Sequence, residues 1–180
     1  FHIMKHYNKY GFKEFIVAGG YKQKIIRDFF KKKKLKWNVK VIDTGQNTMT
    51  GGRLKRLKKY LKNEDFLVTY GDGLSNVNIK KLVSFHKKNK KIVTLTAVRP
   101  PARFGVIKIS NKKVKYFKEK SSLDEGWING GFFVMSKKVF DYLKSDSTYL
   151  ERKPFEELSK KKQLLAFKHI GKWFCMDTKR

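Results

Sequence analysis

The chain has 180 residues, 40% of them hydrophobic, which is enough for one domain with its own core. No apolar run approaches the roughly eighteen residues that cross a bilayer, and the basic opening "FHIMKHYNKY" lacks the apolar centre of a signal peptide, so neither a membrane-inserted nor an exported protein is expected. A single cysteine, Cys175, excludes an intrachain disulfide and a cysteine-ligated zinc finger, and a formal net charge of +29 raises nucleic acid as a partner.

In chain order, Ile3, Met4, Tyr7 and Tyr10 in "FHIMKHYNKYG" predict a helix stopped by Gly11. "EFIVAGGY" then reads as a strand, and "KQKIIRDFFKKKK", with apolar pairs at Ile25-Ile26 and Phe29-Phe30, as a helix. "WNVKVIDTG" alternates like a strand, and "GGRLKRLKKYLK" places Leu54, Leu57, Tyr60 and Leu61 on one helical face. "FLVTY" predicts a strand ending at "GDG". "NIKKLVSFHKKN" predicts a helix with Asn78 as its N-cap and His86 packed on its apolar side, and "KIVTLTAV" another strand. Such alternation implies a mostly parallel sheet covered by helices on both faces.

Beyond Pro100-Pro101 the rhythm changes. "RFGVIKIS", "KVKYFKEK" and "WINGGFFVMS" follow one another with little helix between, which predicts a small β-rich addition; helices around Val139 to Lys144 and Phe155 to Lys162 come next. No internal repeat or low-complexity linker interrupts the chain. The fold class expected is α/β, an open mixed sheet in a single unit.

The charge reads as composition rather than as a nucleic-acid footprint. There are 37 lysines against 7 arginines, whereas fixed recognition of phosphates and base edges favours the forked guanidinium. The lysine pairs are also dispersed along the chain, mostly on the polar sides of helical patterns, so no specific nucleic-acid contact is expected. Against that background the lone carboxylate of "YGDG" stands out. In an open parallel sheet ligands bind beyond the carboxyl ends of strands, where Asp72 sits. Either Asp72 is a turn residue between flexible glycines, or it is a hard oxygen ligand for Mg²⁺ with the glycines clearing room for phosphates. Asp177, in "MDT" after the apolar segment "KWFC", is a candidate for a second carboxylate.

"DTGQNTMTGGRLKRL", "TYGDG", "RFGVI", "FKEK", "INGGFFV" and "MDT", in this order over nearly the whole chain, resemble the glucose-1-phosphate cytidylyltransferases within the sugar-phosphate nucleotidyltransferases. "TGGRLKR" joined to "YGDG" is the specific part. The resemblance implies a Rossmann-like nucleotidyltransferase fold and a cytoplasmic enzyme, homo-oligomeric when full length. It would form CDP-glucose and pyrophosphate from CTP and α-glucose 1-phosphate, toward dideoxy sugars of surface polysaccharides such as O-antigen. It also implies roles. Asp72 and Asp177 would hold magnesium, with Arg53 beside them in catalysis. Thr48, Arg53 and Gly71 would contact CTP, and Gly51-Gly52 would let the backbone approach it. Gly105, Glu119, Lys120, Asn129 and Gly130 would form the sugar-phosphate side, with Glu119 accepting from sugar hydroxyls and Lys120 pairing with the phosphate.

Plainer readings stand beside these: Arg53 and Lys120 as surface cations, Asn129-Gly130 as a hairpin dipeptide, Glu119 as a charge pair between lysines. Two other functions also stay open, a uridylyl- or thymidylyltransferase using another sugar 1-phosphate and a non-catalytic basic module for nucleic acid or an anionic surface. The family's opening strand, its "GGxGTR" phosphate loop and the following lysine-proline motif are absent, and the segment before Trp37 is shorter than usual. The expectation is therefore an incomplete domain that binds CTP weakly and, with strand edges uncovered, tends to aggregate.

Overall fold

A computed structural model describes residues 1–62, 64–99, 106–110, 113–118 and 126–176. The elements in the first half are α1 (His2–Asn8), β1 (Glu14–Gly19), α2 (Gln23–Lys31), β2 (Asn38–Asp43), α3 (Thr50–Leu57), β3 (Asp65–Thr69), β4 (Gly73–Ser75) and α4 (Ile79–Asn89). The second half contributes β5 (Val93–Val98), β6 (Val106–Ser110), β7 (Lys113–Lys118), β8 (Ile128–Ser136), α5 (Lys153–Lys160), β9 (Leu164–His169) and β10 (Trp173–Cys175).

The central sheet has the order β3-β8-β5-β9; β8 is antiparallel to both neighbours, while β5 and β9 are parallel. β1 and β2 form a parallel pair, β4 and β10 an antiparallel pair, and β6 and β7 an antiparallel hairpin. Among the described residues β1 pairs only with β2, and β3 only with β8.

β8 corrects the sequence reading. "WINGGFFVMS" was expected in a peripheral β-rich addition, yet it is the second strand of the main sheet, buried continuously from Gly130 to Met135. Its alternation explains the placement. Phe132 and Val134 enter one core with Tyr7, Val77, Ile79 and Leu82, beneath α1 and α4. Phe133 and Met135 enter the other with Leu54, Val139, Phe140, Leu143, Phe155 and Leu158, beneath α3 and α5. Side chains that alternate across a pleat serve both faces, and burying each large apolar side chain contributes about 1.5–3 kcal/mol. A strand apolar on both faces is stable only between two layers.

Two smaller differences have local causes. Lys137–Tyr142 is a 3₁₀ helix rather than an α-helix, following directly on β8 and burying only Val139 and Phe140. "GLS" after Asp72 is the short strand β4, whose partner β10 comes a hundred residues later and so leaves no local signature. Other expectations hold. Gly11 is left-handed at φ 89°, a conformation that favours glycine, and the Asn78 side chain accepts from the Lys81 amide at 2.9 Å, capping α4.

His86 on α4 is 2% exposed, with Nδ1 2.9 Å from the Thr94 hydroxyl and Nε2 3.7 Å from the Asp65 carboxylate. Burial lowers its pKa below the ordinary 6.5, against the opposing pull of Asp65. The folded state therefore resists a proton that the unfolded chain takes up. Stability from this source is complete above about pH 6.5 and falls as pH drops below it toward the lowered value, unfolded chains binding the extra proton. Chemical unfolding midpoints measured from pH 8 to pH 5 should decline, and His86→Gln should flatten that decline.

The first turn of α3 lies directly on the 145–148 loop. Met49 N–H donates to the Asp146 carbonyl at 2.8 Å, and Gly51 and Gly52 N–H donate to the Thr148 carbonyl at 2.9 and 3.2 Å. A Cβ on Gly52 would lie 2.6 Å from Asp146 Cα, a backbone atom that cannot swing away. A Gly-to-Ala change in a helix ordinarily stabilises by up to about 1 kcal/mol. Here Gly52→Ala should instead destabilise, by roughly 1–3 kcal/mol, read as a lowered denaturant midpoint at unchanged slope.

Candidate active site

The carboxyl end of β3 is where the chain opens. Tyr70 N–H donates to the Gly131 carbonyl at 3.0 Å, closing the last rung beside β8. Gly71 and Asp72 then turn out into solvent, and a Cβ on Gly71 would meet no atom within 4 Å. Gly73 pairs with Cys175, and Met176 N–H donates to the Asp72 carbonyl at 2.9 Å. The backbone of "YGDG" is thereby fastened to the final strand, one residue before Asp177. Asp177 itself, like Gly105, Glu119 and Lys120, lies outside the described residues.

β8 bulges opposite β5, its register shifting between Leu95 and Ala97. Gly131 is left-handed at φ 72°, and a Cβ on Gly130 would lie 2.8 Å from Val98 Cγ1. Trp173 Nε1–H donates to the Gly130 carbonyl at 2.9 Å, and Asn129 Oδ1 accepts from Gly131 N–H at 3.0 Å. Asn129-Gly130 is thus not a hairpin turn: it is a bulge inside a strand, held from both sides.

Other candidates have close protein neighbours. Arg53 donates through Nη1 to the Gly19 and Gly45 carbonyls and the Thr44 hydroxyl at 3.1, 2.8 and 2.9 Å, and through Nη2 to the Gln46 carbonyl at 3.1 Å. It fastens the loops after β1 and β2 to α3. Thr48 is 6% exposed, packed under the Gly45 turn. Gly51 and Gly52 owe their lack of a side chain to the 145–148 loop, whose backbone fills the space beside them. A glycine pair at a helix start fits either a phosphate or a close chain crossing, and only the fold distinguishes these.

Arg56 adds a two-pronged ion pair to Asp146, Nε to Oδ1 at 3.0 Å and Nη2 to Oδ2 at 2.5 Å, which holds the Asp146 carboxyl below its ordinary range. The residues that the sequence did not single out are Tyr70, Glu151 and Thr50. Tyr70 stacks edge-on against Phe133 at 5.2 Å, and its hydroxyl donates to the Glu151 carboxylate; burial first, then that bond, pushes its pKa up. Thr50 Oγ1 donates to Glu151 Oε2 at 2.8 Å. No motif spacing links positions so far apart in sequence.

Among the described residues no three His, Cys, Asp or Glu side chains gather into a metal cluster, and no helix is long and apolar enough to cross a membrane. A magnesium ion shared with nucleotide phosphates needs only one or two protein carboxylates, and the exposed Asp72 with open space at Gly71 fits that need.

Residues 1–174 match the model of the nucleotidyl transferase family. The glucose-1-phosphate cytidylyltransferase of Salmonella typhi is 41% identical over 202 residues, covering 99% of this chain and 79% of the relative. That alignment is longer than the chain, so the relative carries residues inside the matched stretch that this chain lacks. A probable glucose-1-phosphate cytidylyltransferase of Bacillus subtilis is 38% identical over 199 residues, covering 98% of this chain and 78% of its own. Among solved structures, HddC from Yersinia pseudotuberculosis superposes with a TM-score of 0.71 at 23% identity, over 96% of this chain and 76% of that one, which establishes the Rossmann-like nucleotidyltransferase fold. The chain belongs to the nucleotidyl transferase family and, within it, to the glucose-1-phosphate cytidylyltransferases.

Proposed function

We propose that this enzyme transfers the cytidylyl group of CTP to α-D-glucose 1-phosphate, releasing pyrophosphate and CDP-glucose for surface polysaccharide synthesis in the cytoplasm. A phosphate oxygen of the sugar phosphate attacks the α-phosphorus in line. One P–O bond forms as the bond to pyrophosphate breaks, so the protein supplies positioning and charge neutralisation rather than a nucleophile. The observation that carries this reading is the turn at the end of β3. Gly71 leaves it open, Asp72 puts a carboxylate there, and the Met176 amide ties it to the strand that leads into Asp177.

Asp72 and Asp177 are the proposed magnesium ligands; a bound magnesium ion would neutralise the charge of the phosphates. The triphosphate lies over Gly71, with Gly51, Gly52 and Thr48 shaping its floor from behind. Arg53 serves by holding the loops after β1 and β2. Gly105, Glu119 and Lys120 take the sugar phosphate together with Asn129 and Gly130, as the resemblance implies. The small-molecule substrates are the only partners this chemistry requires, apart from other copies of the chain in a homo-oligomer.

Pyrophosphate release by the full-length protein should require Mg²⁺ and appear with CTP but not UTP, dTTP or ATP when α-glucose 1-phosphate is the acceptor. EDTA should abolish it and added Mg²⁺ restore it. Asp72→Asn should lower kcat by roughly a hundredfold or more without moving the unfolding midpoint, because Asp72 is exposed and asparagine keeps its size. Release with another nucleotide would move the substrate assignment, and Asp72→Asn with full activity would overturn the site.

A further inference from the structure

Glu151 is set apart by its partners. In a chain of formal charge +29, its carboxylate is in no ion pair among the described residues and accepts instead from two hydroxyls. Oε1 takes the Tyr70 hydroxyl and Oε2 the Thr50 hydroxyl at 2.8 Å. Thr50 Oγ1 in turn accepts from Leu150 N–H at 2.9 Å, which returns the connection to the segment carrying Glu151. On the Tyr70 side the connection continues through the backbone, where Tyr70 N–H donates to the Gly131 carbonyl at 3.0 Å, in the bulge of β8.

The consequence lies at Gly71. A glycine with open space around it does not hold the direction of the residue after it. Asp72 is therefore aimed by what fixes the chain on either side: the Met176 amide on its own carbonyl, and Tyr70 one residue before the glycine. The Tyr70 backbone is tied to Gly131 and its hydroxyl to Glu151. Burial and the Glu151 carboxylate both keep the phenol protonated, so it remains a donor at neutral pH. Thr50 is the first residue of α3, in the "TMTGGR" segment. One carboxylate thus joins the two segments that flank the nucleotide in the proposed site.

We propose that Glu151 is a positioning residue of the transfer reaction, one that sets the orientation of the Asp72 turn through Tyr70 and clamps it to the start of α3 through Thr50. It acts by accepting two hydrogen bonds, not by touching substrate or metal. This rests on the reading of Asp72 as the magnesium-binding carboxylate.

The chemistry separates this role from a direct one. A glutamine at 151 keeps an oxygen for one hydroxyl and can donate to the other, so the clamp survives while the charge is lost. Alanine removes both bonds, and Tyr70→Phe removes one while keeping the ring against Phe133. The test uses Glu151→Gln, Glu151→Ala, Tyr70→Phe, the Tyr70→Phe/Glu151→Ala double variant and Asp72→Asn, all in the full-length protein and confirmed folded by circular dichroism.

Expected are a kcat for Glu151→Gln close to wild type and falls of about tenfold or more in Glu151→Ala and Tyr70→Phe, with a raised Mg²⁺ concentration for half-maximal rate and an unchanged KM for glucose 1-phosphate. The double variant should be no worse than Glu151→Ala, because both changes remove one shared connection. Glu151→Gln as impaired as Glu151→Ala, with Tyr70→Phe unaffected, would overturn the proposal in favour of direct contact with substrate or metal. Additive losses, or lowered unfolding midpoints at unchanged kcat and Mg²⁺ dependence, would also overturn it. An inactive Asp72→Asn with fully active Glu151→Ala and Tyr70→Phe would reject the clamp alone, whereas an active Asp72→Asn would reject the underlying site.

Discussion

The position of β8 between β3 and β5 constrains the rest of the structure. Its peptide groups are paired on both sides and its side chains are buried on both faces, so its register cannot slip without exposing phenylalanines to water. That pairing brings β3 to a fixed end at Thr69 and so determines where Tyr70, Gly71 and Asp72 leave the sheet. The bulge at Asn129–Gly131 lies at the same end of the sheet. Its carbonyls receive Tyr70 N–H and Trp173 Nε1–H, so a single irregularity in one strand receives both the strand end with the candidate carboxylate and the C-terminal strand behind it. Bulges commonly re-aim a chain next to a site, and this one does so in a strand with no freedom to rearrange.

Charge acts at two distances. The excess of lysine surrounds the molecule with a positive field that attracts phosphate-bearing substrates from afar, without selecting among them. Close to the candidate site, cations serve the protein itself. Arg53 is committed to the loops after β1 and β2, and Arg56 to Asp146. Lys55 donates to the Lys144 carbonyl at 2.6 Å. Residues that resemble phosphate ligands in sequence thus hold the frame around the space where phosphates are proposed to bind. A forked guanidinium suits this work because it satisfies several carbonyls from one rigid plane.

The glycines make the same point about steric space. Gly71 is open, whereas Gly51, Gly52 and Gly130 are each pressed against backbone or side chains of the fold. In sequence all four occupy motifs of similar appearance. Only the packing distinguishes a glycine that leaves room for a ligand from one that lets two segments of the chain cross.

The sequence by itself determined the α/β class, most of the helices and strands, the N-cap at Asn78, the buried His86 and, through "TGGRLKR" with "YGDG", the family. Those features are written in local periodicity, in cap residues and in short contiguous motifs, which survive without knowledge of distant partners. Only the tertiary structure decided that β8 is central rather than peripheral, that β4 pairs with β10, and that Gly51, Gly52 and Arg53 contact the chain's own loops. It alone brought Glu151 to Tyr70 and Thr50. Each of these depends on contacts between segments separated by tens of residues, and a hydrogen bond between such segments has no period, spacing or composition by which one strand of sequence can announce it.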